Sequence, residues 1–397
     1  MTDLPITRTL PDPPPTALPR GFSAHVANIG IRDATDDFLV LASDRPAAAA
    51  ALFTKSRFAG PSVVVSRPHA ADNELQAFVV LSKNANVATG DQGLADSQEI
   101  VEGVAKAIGA DPADVLITST GVIGRPLPMD LIRPHLGGLS TPFECTNAVA
   151  AARAMMTTDT VPKVASAAVG DATVVGMAKG VGMIEPDMAT LLTFFTTDAE
   201  VAAEELSGIF GRVIDRTFNS LSIDTDTSTS DTAAIMANGE AGPVDLDAFE
   251  AALFDVGLSL TRQTARDGEG ATKLLLVTVD RARDGEQARR VAKAVLNSPL
   301  VKTAVHGADP NWGRVAMAVG KCSSDTDIDQ SRVCIRFGSQ EVFPVMVDEV
   351  ALGRLASYMA GDEVHIGVSL GTGDATWTVY GCDLSAGYVR INADYTT

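Results

Sequence analysis

This chain has little positive charge, few aromatic side chains and hardly any cysteine. Its 31 Lys and Arg are outnumbered by 50 Asp and Glu, a formal net charge of −19 over 397 residues. Without a basic stripe to offset phosphate repulsion, a nucleic-acid partner is excluded as a working expectation. Aromatics make up only 5% of the residues, while Ala, Val, Gly and Thr are plentiful, a composition suited to closely packed sheet and helix layers. The four cysteines, Cys145, Cys322, Cys334 and Cys382, show no Cys-x-x-Cys spacing. They read as reduced, mostly buried thiols. No uninterrupted run reaches the roughly 18 apolar residues of a membrane span. The N-terminus has acidic residues and prolines where a secretion signal needs a basic start and an apolar stretch, so the expected location is cytoplasmic. Gly176-x3-Gly180-x-Gly182 is not the Gly-x-Gly-x-x-Gly fingerprint, and no Gly-x4-Gly-Lys-(Ser/Thr) loop occurs. Nucleotide-phosphate binding is therefore unsupported.

What is present describes a globular protein. Hydrophobic residues make up 46% and charged residues 20%, enough apolar matter for one large or two modest cores. Residues 1–20, with Pro11-Asp12-Pro13-Pro14-Pro15, cannot pair regularly and form a mobile leader or a packed extended arm. From Gly21 the pattern predicts strands at 37–42, at Val63-Val64-Val65 and at 77–81, with a short turn from Asp111-Pro112 before Val115-Leu116-Ile117. Helices are expected at 96–108 and 148–156, and a hairpin over 164–175 around Gly170-Asp171. The run 191–197 reads as a buried strand with Thr190 as its first residue. Helices follow at 202–213, 246–265, 286–296 and 350–359, with strands at 273–279, 332–337, 364–369 and 376–382. Such mixed order predicts an α/β or α+β layered protein.

One segment carries most of the chemistry: Lys179-Gly180-Val181-Gly182-Met183-Ile184-Glu185-Pro186-Asp187-Met188-Ala189-Thr190-Leu191-Leu192. A threonine hydroxyl is a weak nucleophile unless a base sits beside it. An N-terminal threonine carries its own base, its α-amine, with a reference pKa of about 7.7–8.0. An internal threonine acquires that amine only if the bond before it breaks. Cleavage of Ala189-Thr190 would thus create nucleophile and base together, and a small residue before the threonine leaves room for a tetrahedral intermediate.

The surrounding residues turn this segment into a resemblance. The chain resembles the ornithine acetyltransferases, glutamate N-acetyltransferases that cut themselves before the threonine of a Lys-Gly-x-Gly-Met-(Ile/Leu)-x-Pro-x-x-Ala-Thr-Met-Leu segment. Also matching are Ser119–Gly124, Met156–Thr160, Ser222–Thr232, Asp267–Lys273, Asp309–Arg314 and Ile391-Asn392, in family order across nearly the whole chain from Gly21. Leu191 stands where many members have Met, a volume-conserving change.

The resemblance implies an α/β layered sandwich of two sheets flanked by helices, built jointly by residues 21–189 and 190–397. It implies a ping-pong reaction in which Thr190 takes the acetyl group of N2-acetylornithine and passes it to glutamate, in the arginine pathway or as a specialised-metabolism paralogue. No cofactor or metal is required. Thr120 and Gly121 match the oxyanion-hole pair, the first offering a hydroxyl and the second close backbone approach. Substrate contacts carried over are Thr157, Lys179, Thr190, Glu269, Asn392 and Thr397. Lys179 is expected to pair with an α-carboxylate and Glu269 with an ammonium. Two copies of each fragment are expected to assemble.

Other clusters read more plainly. Asp224–Thr232 sets carboxylates among hydroxyls but lacks the glycine and terminal glutamate of a calcium loop, so a structural, hydrogen-bonding role near the cleft is expected. His306 with Asp309 is a weak ligand set, and His306 is read as structural. Two rival functions stand beside the transferase: an N-terminal-threonine amidase or aminopeptidase in which water takes the acyl group, and an uncleaved protein that only binds acetylated amino acids.

Overall fold

The computed structural model describes residues 16–185, 191–345 and 347–394. They divide into two compact units. Residues up to Asn219 together with Thr227–Leu260 form one, and Ser220–Asp226 together with the residues from Thr261 form the other.

The first unit is built on an eight-stranded sheet. Its strands are β1 (Phe22–Ala27), β2 (Phe38–Phe53), β3 (Glu74–Leu81), β4 (Val115–Ser119), β5 (Lys163–Val169), β6 (Ala172–Lys179), β7 (Leu192–Glu200) and β8 (Thr232–Pro243). They lie in the order β4-β3-β2-β8-β7-β6-β5, with β1 against the first half of β2. Its helices are α1 (Pro61–His69), α2 (Gly90–Ile108), α3 (Met129–Gly138), α4 (Ala148–Met155), α5 (Ala203–Arg216) and most of α6 (Leu246–Arg266). Alternation along β2 explains why both faces are covered. Leu39 and Leu41 point into one core with Phe78, Met177, Phe194 and the alanines of α4. Phe38 and Val40 point into another with Val79, Ile100 and Val104 of α2 and Ile132 of α3. A strand buried on both sides reads as a continuous apolar run. On the far half of the sheet, Phe195 of β7 meets Phe210 of α5 with ring centroids 5.7 Å apart.

The second unit holds a five-stranded sheet of β9 (Leu274–Ala282), β10 (Cys334–Phe337), β11 (Gln340–Phe343), β12 (Glu363–Ser369) and β13 (Ala375–Cys382), in the order β11-β10-β12-β9-β13. Helices α7 (Gly285–Leu296), α8 (Pro299–His306), α9 (Trp312–Gly320) and α10 (Glu349–Met359) bury Val291, Val305, Val319 and Leu355 against Val277, Val279, Ile335, Ile366 and Val379. A last helix, α11 (Ala386–Asp394), follows. The chain is thus an α/β protein with two sheets and flanking helices.

Two expectations need correction, and the described part of the N-terminal arm fits one of its two alternatives. The Val63-Val64-Val65 run is not a strand but the middle of α1. Pro61 stands at its first turn, where its fixed φ favours a helix and its missing N–H costs nothing. Val63 and Val65 face inward, Val64 is 47% exposed, and Ser66 Oγ locks the helix to β4 by donating to Ile117 O and accepting from Ile117 N. Such packing outweighs the poor helix propensity of β-branched residues. The cysteines are free, yet only Cys382 is buried and the other three are half-buried. Burial raises the thiols of Cys334 and Cys382 to about 11, which leaves them inert. Within the N-terminal arm, Leu18 is buried and its N–H donates to Thr146 O, so this part is packed and paired. Among the described residues no helix is long and apolar enough to cross a membrane.

Candidate active site

In the first unit the polypeptide places Lys179, Thr120 and Thr157 together. Lys179 ends β6, opposite Leu192 in the β6–β7 ladder. Its Nζ donates to Thr120 Oγ1 at 2.8 Å and to Thr157 Oγ1 at 3.0 Å. Thr120 follows β4, and its N–H donates to Leu81 O. Gly121 then turns with φ +133°, and an ideal Cβ there would stand 2.2 Å from the Lys83 carbonyl carbon, 2.5 Å from Lys83 Cα and 2.6 Å from Asn84 N. Only a residue with no side chain lets these two backbone segments lie so close.

The opposing segment is held by its own ion pair. Lys83 has φ +74°, and its buried ammonium donates to Asp33 Oδ1, Thr35 O and Thr35 Oγ1. The hydrogen bond from Lys83, then those that Thr35 Oγ1 and Thr35 N donate to Asp33 Oδ1, hold the Asp33 carboxyl well below the usual range.

Behind these two Lys179 contacts lies a residue pair that the sequence reading did not single out. Asp159 and Lys163 are fully buried and 2.7 Å apart. Asp159 also accepts from Gly180 N at 2.6 Å and from Thr157 N at 3.2 Å. Burial pushes its carboxyl up, but Lys163, Lys179 and these hydrogen bonds outweigh that and hold it at about 2. One ionised carboxylate therefore fixes both the residue after Lys179 and the loop carrying Thr157. Their i, i+4 spacing would have suggested a pair only on a helix, and Lys163 begins a strand.

In the second unit, Asn392 of α11 donates to Glu269 Oε2 at 2.9 Å. Gly270, with φ +68°, has room for no side chain, since a Cβ would stand 2.2 Å from Tyr388 N. Ser385 Oγ donates to Gly270 O at 2.5 Å, so the Glu269 turn is pressed against the start of α11. Burial, then Asp224, Glu269 and Asp226, raises the Tyr388 phenol. His306 Nδ1 lies 2.7 Å from Asp383 Oδ2, and that carboxylate also accepts from Thr272 and Lys273 N–H groups. His306 is thus tied into the fold, as the reading expected. In the acidic run, Ser228 O accepts from Thr54 Oγ1, Thr229 O accepts from Gly60 N, and Thr227 Oγ1 donates to Glu185 O. Ala189, Thr190 and Thr397 lie outside the described residues.

Known proteins resemble this chain over nearly its whole length. The profile of the ArgJ family matches residues 23–397. A Streptomyces clavuligerus protein called glutamate N-acetyltransferase Oat2 is 57% identical over 96% of this chain and 98% of its own length. The arginine biosynthesis bifunctional protein ArgJ 2 of a Nostoc strain is 53% identical over 96% of this chain and 99% of its own. A solved structure of the arginine biosynthesis bifunctional protein argJ from Bacillus halodurans is 38% identical, with a TM-score of 0.48, over 51% of this chain and 98% of its own.

Proposed function

The chain belongs to the ArgJ family, and from that premise we propose that it is a self-processing glutamate N-acetyltransferase of arginine biosynthesis. It moves acetyl from N2-acetylornithine to glutamate and releases ornithine and N-acetylglutamate. The observation that carries the reading is the meeting of Lys179 with Thr120 and Thr157, at the end of the strand whose register partner lies two residues beyond Thr190.

The chemistry follows from these groups. Thr190, freed by cleavage after Ala189, attacks the acetyl carbonyl while its α-amine takes the hydroxyl proton. The tetrahedral oxygen then needs donors. Because Lys179 donates to Thr120 Oγ1, that hydroxyl's own hydrogen is left to point elsewhere, toward an oxyanion. Gly121 supplies the close backbone approach. Ornithine leaves, glutamate attacks the acetyl ester, and Thr190 is regenerated. Lys179 receives a substrate carboxylate in addition to its two hydroxyl contacts, while Thr157, Glu269, Asn392 and Thr397 complete substrate capture.

The sheet supports two fragments, 21–189 and 190–397, that stay interlocked after cleavage. β7 and β8 come from beyond residue 190, yet they lie between β2 and β6, which come from before it. Separating the fragments would strip both ladders from the middle of a buried sheet. Two such pairs assemble into the working enzyme, in the cytoplasm.

Steady-state rates with both amino acids test the site. Thr120→Val should lower kcat by about 10²–10³-fold with KM little changed, as expected when one oxyanion donor is lost. Lys179→Ala should raise KM as well as lower kcat. An unchanged KM would remove the carboxylate contact from the account. Glutamate-dependent release of ornithine tests the reaction itself, and release at the same rate with water alone would favour an amidase.

A further inference from the structure

Asp231 is a buried acid that this chemistry leaves unused. It is 2% exposed, one residue before β8, and its Oδ2 has no hydrogen-bond partner among the described residues. Buried polar atoms are nearly always paired, so an orphaned carboxyl oxygen calls for a role. Ser228 and Thr54 hydrogen-bond the rest of the carboxyl, and Lys179 acts on it electrostatically. Its place is also telling. β7 and β8 run parallel with Leu192 opposite Thr232, and Thr232 N donates to Leu191 O at 3.0 Å. Asp231 precedes Thr232 in the chain as Thr190 precedes Leu191.

The self-cleavage step lacks a base. Before the cut, the nitrogen of Thr190 is an amide and cannot accept a proton; the α-amine exists only afterwards. Resting on the self-processing reading, we infer that Asp231 accepts and returns the proton in self-cleavage. Its carboxylate takes the Thr190 hydroxyl proton as Oγ bonds to the Ala189 carbonyl carbon. The intermediate collapses, the carbon–nitrogen bond breaks, and the proton passes to the departing Thr190 nitrogen. An ester now joins Ala189 to Thr190 Oγ. Water adds to it, the carbon–oxygen bond breaks and Thr190 regains its hydroxyl; Ala189 leaves as a carboxylate, its proton passing to the freed Thr190 α-amine. Burial raises the Asp231 carboxyl well above its ordinary value, despite Ser228, Lys179 and Thr54. An acid lifted in this way is better suited to take a proton and give it back.

The test follows cleavage of the full chain by intact mass, from its synthesis in a cell-free translation reaction, with thermal melting of the purified products. Asp231→Asn keeps the shape and the hydrogen bonds but removes the basic oxygen. It should cut at least about 100-fold more slowly than wild type, with unchanged melting, while Asp231→Glu restores cutting. If Asp231→Asn fails to fold, Asp231→Ser replaces it under the same criteria. A folded variant without the carboxyl that splits at the wild-type rate overturns the inference. So does a folded Asp231→Glu that stays as intact as the variant lacking the acid. A wild-type chain that never splits would instead sink self-processing itself.

Discussion

Thr190→Ala is expected to give one intact 397-residue chain that neither splits nor takes up acetyl. The residue has two uses in the account, and the substitution removes both. Its hydroxyl opens the Ala189-Thr190 bond, and the amine released there then serves as base for the same hydroxyl. Alanine is smaller than threonine and adds no volume, so the fold should persist and melting should change little. Acetyl transfer should fall by about a thousand-fold or more, because removing a nucleophile removes the acyl-enzyme route. Thr190→Ser keeps a hydroxyl and should retain measurable cutting and transfer. Substantial transfer by the alanine variant would show that another residue carries the acetyl group.

Gly121→Ala should be nearly as damaging, for a reason of space. At φ +133°, a side chain is already strained, by about 1–3 kcal/mol. The added Cβ would also overlap the Lys83 and Asn84 backbone, with its nearest atom 2.2 Å away. No flexible side chain can swing aside there, since the colliding atoms are main chain and the Lys83 ammonium is held by Asp33 and Thr35. Either the loop moves or the protein is destabilised. A moved loop takes Thr120 with it and should lower kcat by about 10²–10³-fold. A strained loop should lower the melting temperature by several degrees. Calorimetry and steady-state kinetics on one preparation measure both. A variant with wild-type melting and wild-type kcat would contradict the close approach.

Much of this layout is legible in the sequence, and the exceptions share a physical cause. The long helices α2, α5, α6 and α7 and the strands β7, β9, β12 and β13 follow from periodicity, because each presents a clear apolar face or an apolar run. β8 does not, since Thr232–Pro243 is largely small residues and is a strand only because β2 and β7 flank it. The second half of β2 is similar. Ala47–Ala51 has the composition of a good helix, but Ala48 and Ala51 lie opposite Ala237 and Ala234, where small side chains allow tight packing within the unit.

The site divides in the same way. Thr120, Gly121, Thr157 and Lys179 are readable through the resemblance, and they lie in one cluster. Asp159, Lys163 and Lys83 are not, because a charged residue in a sequence normally implies a surface, and Asp231 lies inside the acidic run that reads as structural. Their burial is created by segments far apart in the chain.

The central claim is self-processing followed by acyl-enzyme formation, and intact mass under denaturing conditions tests it most directly. The account predicts two fragments divided between Ala189 and Thr190. On incubation with N2-acetylornithine, the C-terminal fragment should gain about 42 Da, one acetyl group. A single uncut chain that never gains that mass would contradict the account and favour a protein that only binds acetylated amino acids.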